Sequence, residues 1–229
     1  MIRKGSRLAR RFFFTRLGLG VGAAGSAFAG IASGQSSGDG RWQPARHEQD
    51  DWLDGIPGKH RFVFDTTTAQ GMSWATQFAT NYYTANQSSY GLRDSDLAVV
   101  IVARHQSTAF AYNDTMWAKY GVQLSNQSGY TDPATKQAPI FNPYATPGND
   151  SGQREGRLAA LLKRGVHLGV CQMATRAIAG SIARATGTDA EVVFNELVAN
   201  LVTNSHMVPA GIVVVNRAQE RGYSFVYAV

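Results

Sequence analysis

The most constraining feature of this chain is the run Asp96-Leu97-Ala98-Val99-Val100-Ile101-Val102-Ala103, in which a single acid precedes seven apolar residues. A strand that shows no polar alternation must be buried on both faces, and such strands belong to the interior of parallel sheets. This run therefore predicts a central strand.

Around it the pattern alternates between strand and helix. Arg61-Phe62-Val63-Phe64-Asp65 reads as a first strand, and residues 72–86 place Trp74, Phe78, Tyr82 and Tyr83 at helical spacing. A helix is predicted over 110–120 and another over 153–164. The strand Gly165-Val166-His167-Leu168-Gly169-Val170 then gives way to helices over 173–185 and 189–202. A short strand at 205–208, a helix at 210–221 and a closing strand at 223–228 complete the order. Parallel strands need crossovers packed outside the sheet, so the expected fold is α/β: one three-layer domain with an open, mostly parallel sheet of about five strands. Residues 121–150 are polar and punctuated by Pro133, Pro139, Pro143 and Pro147, which marks a proline-rich insertion of the kind used as a lid or a subunit contact.

The formal charge of +6 is misleading about partners. Residues 1–29 hold six of the 22 basic residues and none of the 16 acidic ones, so the remainder is electrically balanced. No nucleic-acid partner is implied. Those first residues read as an export signal, with Arg10-Arg11-Phe12-Phe13-Phe14 of twin-arginine type, an apolar stretch over 17–28, and Ala27-Phe28-Ala29 as a cleavage site. This predicts a periplasmic protein whose only link to a membrane is the signal, should it stay uncleaved. Gly20-Val21-Gly22-Ala23-Ala24-Gly25 fits a dinucleotide-binding pattern, but no strand precedes it. Residues 30–58, rich in Gly, Ser, Gln and acid, read as a flexible stalk whose Trp52 and Leu53 pin onto the domain or a neighbouring subunit. The globular domain is expected over 59–229.

Cys171 is the only cysteine, which excludes an intramolecular disulfide. It stands where a strand pattern becomes a helical one. In an open α/β sheet that junction faces the ligand crevice, and the amino terminus of the next helix favours a thiolate there. Two readings stay open: a nucleophile or sulfur carrier, and a buried small hydrophobe. Arg104, His105, Thr66 and Thr67 would lie at the same carboxyl edge, with His105 the first polar partner to consider, and Arg176 is either an anion holder or a solvated helix charge. His167 lies on the strand about 13 Å before the cysteine and is excluded as its base. The five histidines are dispersed and no spacing suggests a metal; no cofactor is implied.

The junction ending in Cys171, followed by Met207-Val208-Pro209-Ala210-Gly211 and Gln219-Glu220-Arg221-Gly222-Tyr223, resembles the DsrE/DsrF-like family of sulfur-relay α/β proteins over most of residues 60–229. The resemblance implies a cysteine at the position of Cys171 that takes sulfane sulfur as a persulfide and hands it on, within a homo-oligomer. Its partners would be a sulfur-donor small molecule or an acceptor thiol protein. Relatives without the cysteine serve as non-catalytic partners, so a binding or assembly module with an inert thiol is the alternative. A third reading is a small organic ligand held beside Cys171 by Tyr130, Phe141 and Tyr144 of the insertion.

Overall fold

In the computed structural model, which describes residues 42–145 and 157–229, every residue of β2 (Leu97–Ala103) is buried. It is flanked by β1 (His60–Thr66) and β3 (His167–Cys171). β4 (Ser205–Val208) pairs with β3, and β5 (Ser224–Ala228) pairs with β1. The order is β4-β3-β2-β1-β5 and every pairing is parallel, so the sheet is wholly rather than mostly parallel. The twin-arginine segment and residues 30–41 of the stalk lie outside the described residues, as do residues 146–156.

Right-handed crossovers decide which face each helix covers. The steps from β1 to β4 all move one way across the sheet, so their helices share one face: α2 (Ala69–Tyr90), α3 (Asp114–Ser128), α4 (Arg157–Lys163), α5 (Gln172–Thr186) and α6 (Ala190–Ala199). Met72, Tyr83, Phe110, Trp117, Leu158 and Ile178 form its core. The step from β4 back to β5 runs the other way, so α7 (Gly211–Glu220) covers the opposite face with α1 (Trp52–Gly55). Leu53 and Ile56 join Val100, Val102, Val214 and Ala218 in this second core.

Residues 44–58 thus belong to the compact unit Pro44–Val229. The Leu53 carbonyl accepts from the Tyr223 hydroxyl at 2.6 Å and from Arg61 at 2.9 Å. Trp52 and Leu53 pin onto their own domain.

Three helices run differently from the sequence pattern: α6 stops at Ala199 short of the expected 202, because Asn200 ends it and Leu201 bridges to Tyr112, and two others differ at greater length. α2 begins earlier because the Thr68 side chain accepts from the Gly71 amide at 2.9 Å, and it ends at Gly91 in the left-handed region at φ 64°. The predicted helix over 110–120 is replaced by a 3-10 segment, His105–Ala111, and by α3, which Asn113 caps. α3 continues through a kink at Tyr120 into residues that the prolines further on suggested were loop, because Leu124 and Ser128 are buried on its inner side. Beyond it, buried Asn142 fixes the chain by donating to the Phe110 and Tyr112 carbonyls at 2.8 and 2.7 Å. Among the described residues no helix is long and apolar enough to cross a membrane.

Gly71 allows α2 to start against the end of β5: a Cβ there would meet the Ala228 carbonyl oxygen at 2.4 Å. Gly71→Ala should therefore cost about 1–3 kcal/mol in urea unfolding, despite alanine's better helix propensity. Gly55→Ala, which meets nothing within 4 Å, should be neutral or stabilise by up to about 1 kcal/mol.

Candidate functional site

Because α5 leaves β3 toward one face and α7 leaves β4 toward the other, the carboxyl ends of these neighbouring strands form the topological switch point of the sheet. Open α/β sheets bind their ligands in that crevice. Cys171 ends β3 there, paired with Val208, and is the N-cap of α5. Its Sγ accepts from the Ala174 amide at 3.5 Å, and the residue is 7 % exposed. The thiol thus caps a 15-residue helix, a position where the helix's partial positive charge favours an anion.

Behind the sulfur runs a short buried chain of hydrogen bonds. The Tyr112 hydroxyl donates to Thr175 Oγ1 at 3.0 Å, which donates to the Cys171 carbonyl at 3.0 Å. Burial holds the Tyr112 hydroxyl well above the usual phenol range, with Cys171 pushing the same way and the Thr175 hydrogen bond opposing. Tyr112 is thus a fixed proton donor that orients the junction.

Arg104 follows the Ala103–Val170 pair and so stands beside Cys171 at the strand ends. Its Nε and Nη2 donate to Asp65 Oδ1 and Oδ2 at 2.7 and 2.8 Å, a bidentate pair in which Asp65 is almost fully buried. The hydrogen bond to Asp65 is the main reason the guanidinium is held above its ordinary range; burial opposes it, and Tyr227 and Cys171 reinforce it. Arg104 is therefore a permanent cation, paired with Asp65, at the strand end that adjoins Cys171. Gly211, at the start of α7, makes room for it, since a Cβ there would come within 2.6 Å of Arg104 Cβ.

The remaining residues singled out by sequence divide. Thr67 lies at the edge, its Oγ1 2.7 Å from the Tyr227 hydroxyl. Thr66 is fully buried, with its hydroxyl taken up by the Val102 carbonyl and Ser107 at 2.8 Å each, so it holds the strand end together and faces no ligand space. His105 is exposed, at a left-handed φ of 57°, next to Arg104. Arg176 turns away toward α6, bonded to Glu191 at 2.9 Å and stacked over Phe194 at 3.9 Å. Tyr130 and Tyr144 pack edge-on against Phe110 of the main core.

Asp65 and Tyr227 complete the site and were not among the residues singled out. An acid directly after the apolar Phe62-Val63-Phe64 was the available signal for Asp65; nothing local marks Tyr227.

His167 finds its partner on β4. Its Nδ1 is 2.8 Å from His206 Nε2, and Trp52 stacks on His206 at 4.1 Å with an interplanar angle of 11°. Gly169 leaves the space under this stack, because a Cβ there would lie 3.2 Å from Val214 and 3.8 Å from Trp52. Burial lowers the pKa of both histidines, that of His206 to about 4 with help from His167. Among the described residues no group of three or more His, Cys, Asp or Glu is placed to share a metal ion.

No family model matches the chain, and no curated protein matches it closely enough to be called a relative.

Two outcomes follow from these contacts. Asp65→Asn removes the countercharge of a half-buried guanidinium and should cost about 2–3 kcal/mol in urea unfolding. For the histidine pair, both folded and unfolded states are neutral above the ordinary value of 6.5. As pH falls below it the unfolded chain takes protons that the folded chain refuses, so this contribution to stability declines until His206 itself titrates near 4. His206→Phe keeps the stack on Trp52 and removes one titrating group. Its unfolding midpoint, followed from pH 7 to 4, should fall less steeply than that of the parent.

Proposed function

We propose that this protein takes up sulfane sulfur as a persulfide on Cys171 and passes it to an acceptor thiol. The observation that carries the reading is a nucleophilic side chain at the switch point of the sheet, capping α5 and standing beside the Asp65-anchored cation Arg104. The resemblance of the Cys171, Pro209 and Gly222 segments to the DsrE/DsrF-like family supports the same chemistry. The sequence pattern of a twin-arginine leader supports a periplasmic setting for that chemistry.

The steps balance without a cofactor. The Cys171 thiolate attacks a sulfane sulfur of a polysulfide, forming one S–S bond while the shortened polysulfide leaves as an anion. Arg104 attracts the anionic donor and offsets the charge of the outer sulfur once it is bound to Cys171. The thiolate of an acceptor then attacks that outer sulfur, and Cys171 departs as a thiolate. Tyr112 and Thr175 hold the backbone of the junction while its sulfur changes partners.

One observation favours a second reading, a binding or assembly module with an inert thiol: Cys171 is only 7 % exposed. Intact-mass measurement after incubation with polysulfide separates the two. Sulfur atoms added to the parent, removed by a reductant and missing from Cys171→Ser, are expected. Arg104→Gln, checked for folding by circular dichroism, should take up sulfur about tenfold more slowly, corresponding to about 1.4 kcal/mol of barrier. An unmodified parent, whose thiol reacts with maleimide only after unfolding, would sink the persulfide and leave the binding module.

A further inference from the structure

A concavity opens at the carboxyl edge of β1, on the face covered by α2 and α3. Its volume is about 470 Å³, within the range of small-molecule sites, and its wall includes Thr68, Gln70, Gln106, Thr131, Tyr130 and Tyr144. Cys171 and Arg104 take no part in it, so it is separate from the sulfur site.

Several features hold it open. The Tyr144 hydroxyl donates to the Ala69 carbonyl at 2.8 Å and ties the insertion to the start of α2. The left-handed backbone of His105 turns the chain so that the Gln106 and Ser107 amides both donate to the Thr67 carbonyl, at 3.0 and 3.2 Å. That turn sets the Gln106 side chain beside Gly129, the left-handed C-cap of α3, where a Cβ would stand 4.0 Å from Gln106 Nε2. A non-glycine residue held in the left-handed region is uncommon, and such conformations cluster at functional sites.

The chemistry of the wall selects the ligand. Among the described residues it holds no Lys, Arg, Asp, Glu or His. A charged ligand would enter without a countercharge, and the single helix start at α2 is already capped by Thr68. An apolar ligand would strand the amides of Gln70 and Gln106 and the hydroxyl of Thr131, which together offer donors and acceptors in both senses. Hydroxyl groups, which also donate and accept, match that lining, and Tyr130 supplies an aromatic surface for the carbon-bound hydrogens of a ring.

We infer that this concavity binds an uncharged, hydroxyl-rich ligand of sugar size. The site accounts for the tyrosines of the proline-rich insertion, which pack away from the sulfur centre. It does not rest on the persulfide reading.

Saturation-transfer NMR on the full chain, with glucose, N-acetylglucosamine and maltose as probes and phosphate and p-cresol as comparators, tests the inference. Transfer to at least one of the three sugars and to neither comparator is expected. Replacing both glutamines (Gln70→Ala with Gln106→Ala) should weaken that sugar about tenfold, as the loss of two hydrogen-bonding groups implies. Thr131→Trp, at an exposed position of the wall, should block binding by filling the concavity, and Cys171→Ser should leave it unchanged. Each variant is checked for an unaltered melting temperature, and a variant that melts early is replaced by its Asn (Gln70, Gln106) or Phe (Thr131) counterpart. Absence of transfer from all three sugars, binding that survives both the glutamine and the Thr131 replacements, or occupancy by phosphate or p-cresol would each overturn it.

Discussion

Burial of β2 on both faces is the constraint from which the rest of the architecture follows. A strand with seven buried residues needs a neighbour on each side and a helical layer above and below. Three successive right-handed crossovers cover only one of those faces. The opposite face would remain wet unless the chain reversed direction, and the return from β4 to β5 through α7 supplies that cover, completed by α1. The same reversal sends α5 and α7 to opposite faces at the ends of β3 and β4, and so places Cys171 at the topological switch point of the sheet. The location of Cys171 is a consequence of how the sheet is kept dry.

A buried ion pair in such a layer does not by itself stabilise a fold, because desolvating two charges offsets much of their attraction. Asp65 and Arg104 are better understood through what they position. The bidentate geometry fixes the plane of the guanidinium at the sheet edge, next to the sulfur, and Gly211 removes the one Cβ that would push α7 off it. Replacing the pair by apolar residues of similar volume would suit the core and leave the crevice without its cation.

What could be read from the sequence was whatever local periodicity encodes. The unbroken apolar run of β2, the Phe-Val-Phe strand β1 and the change from strand to helix at Cys171 all show within a window of about a dozen residues, and each is present in the structure. The extent of α3 was not legible, because Asn113 and the burial of Leu124 outweigh the polar, proline-punctuated pattern of residues 121–150. Nor were the pairings Asp65 with Arg104, His167 with His206, and Thr67 with Tyr227. Their partners lie 39 to 160 positions apart, and only the register of parallel strands brings them together. Arg176, one helical turn beyond the cysteine, illustrates the converse: sequence proximity suggested a role at the sulfur, while α6 offered it Glu191 and the face of Phe194.

α7 links these pieces mechanically. Its first residue, Gly211, abuts Arg104, and its middle, through Val214, packs over Gly169 beside Trp52. Near its end Arg217 faces Asp50 and Glu220, at 3.5 and 2.9 Å. Arg221, just past the end, bonds Asp54 at 3.1 Å with a side chain only 1 % exposed. A ten-residue helix is rigid over that length, so contacts made by the N-terminal arm at one end limit how far the other end can move against the guanidinium. Trp52 on the histidine pair and the ion pairs around Asp50 and Asp54 therefore brace the helix whose first residue abuts Arg104.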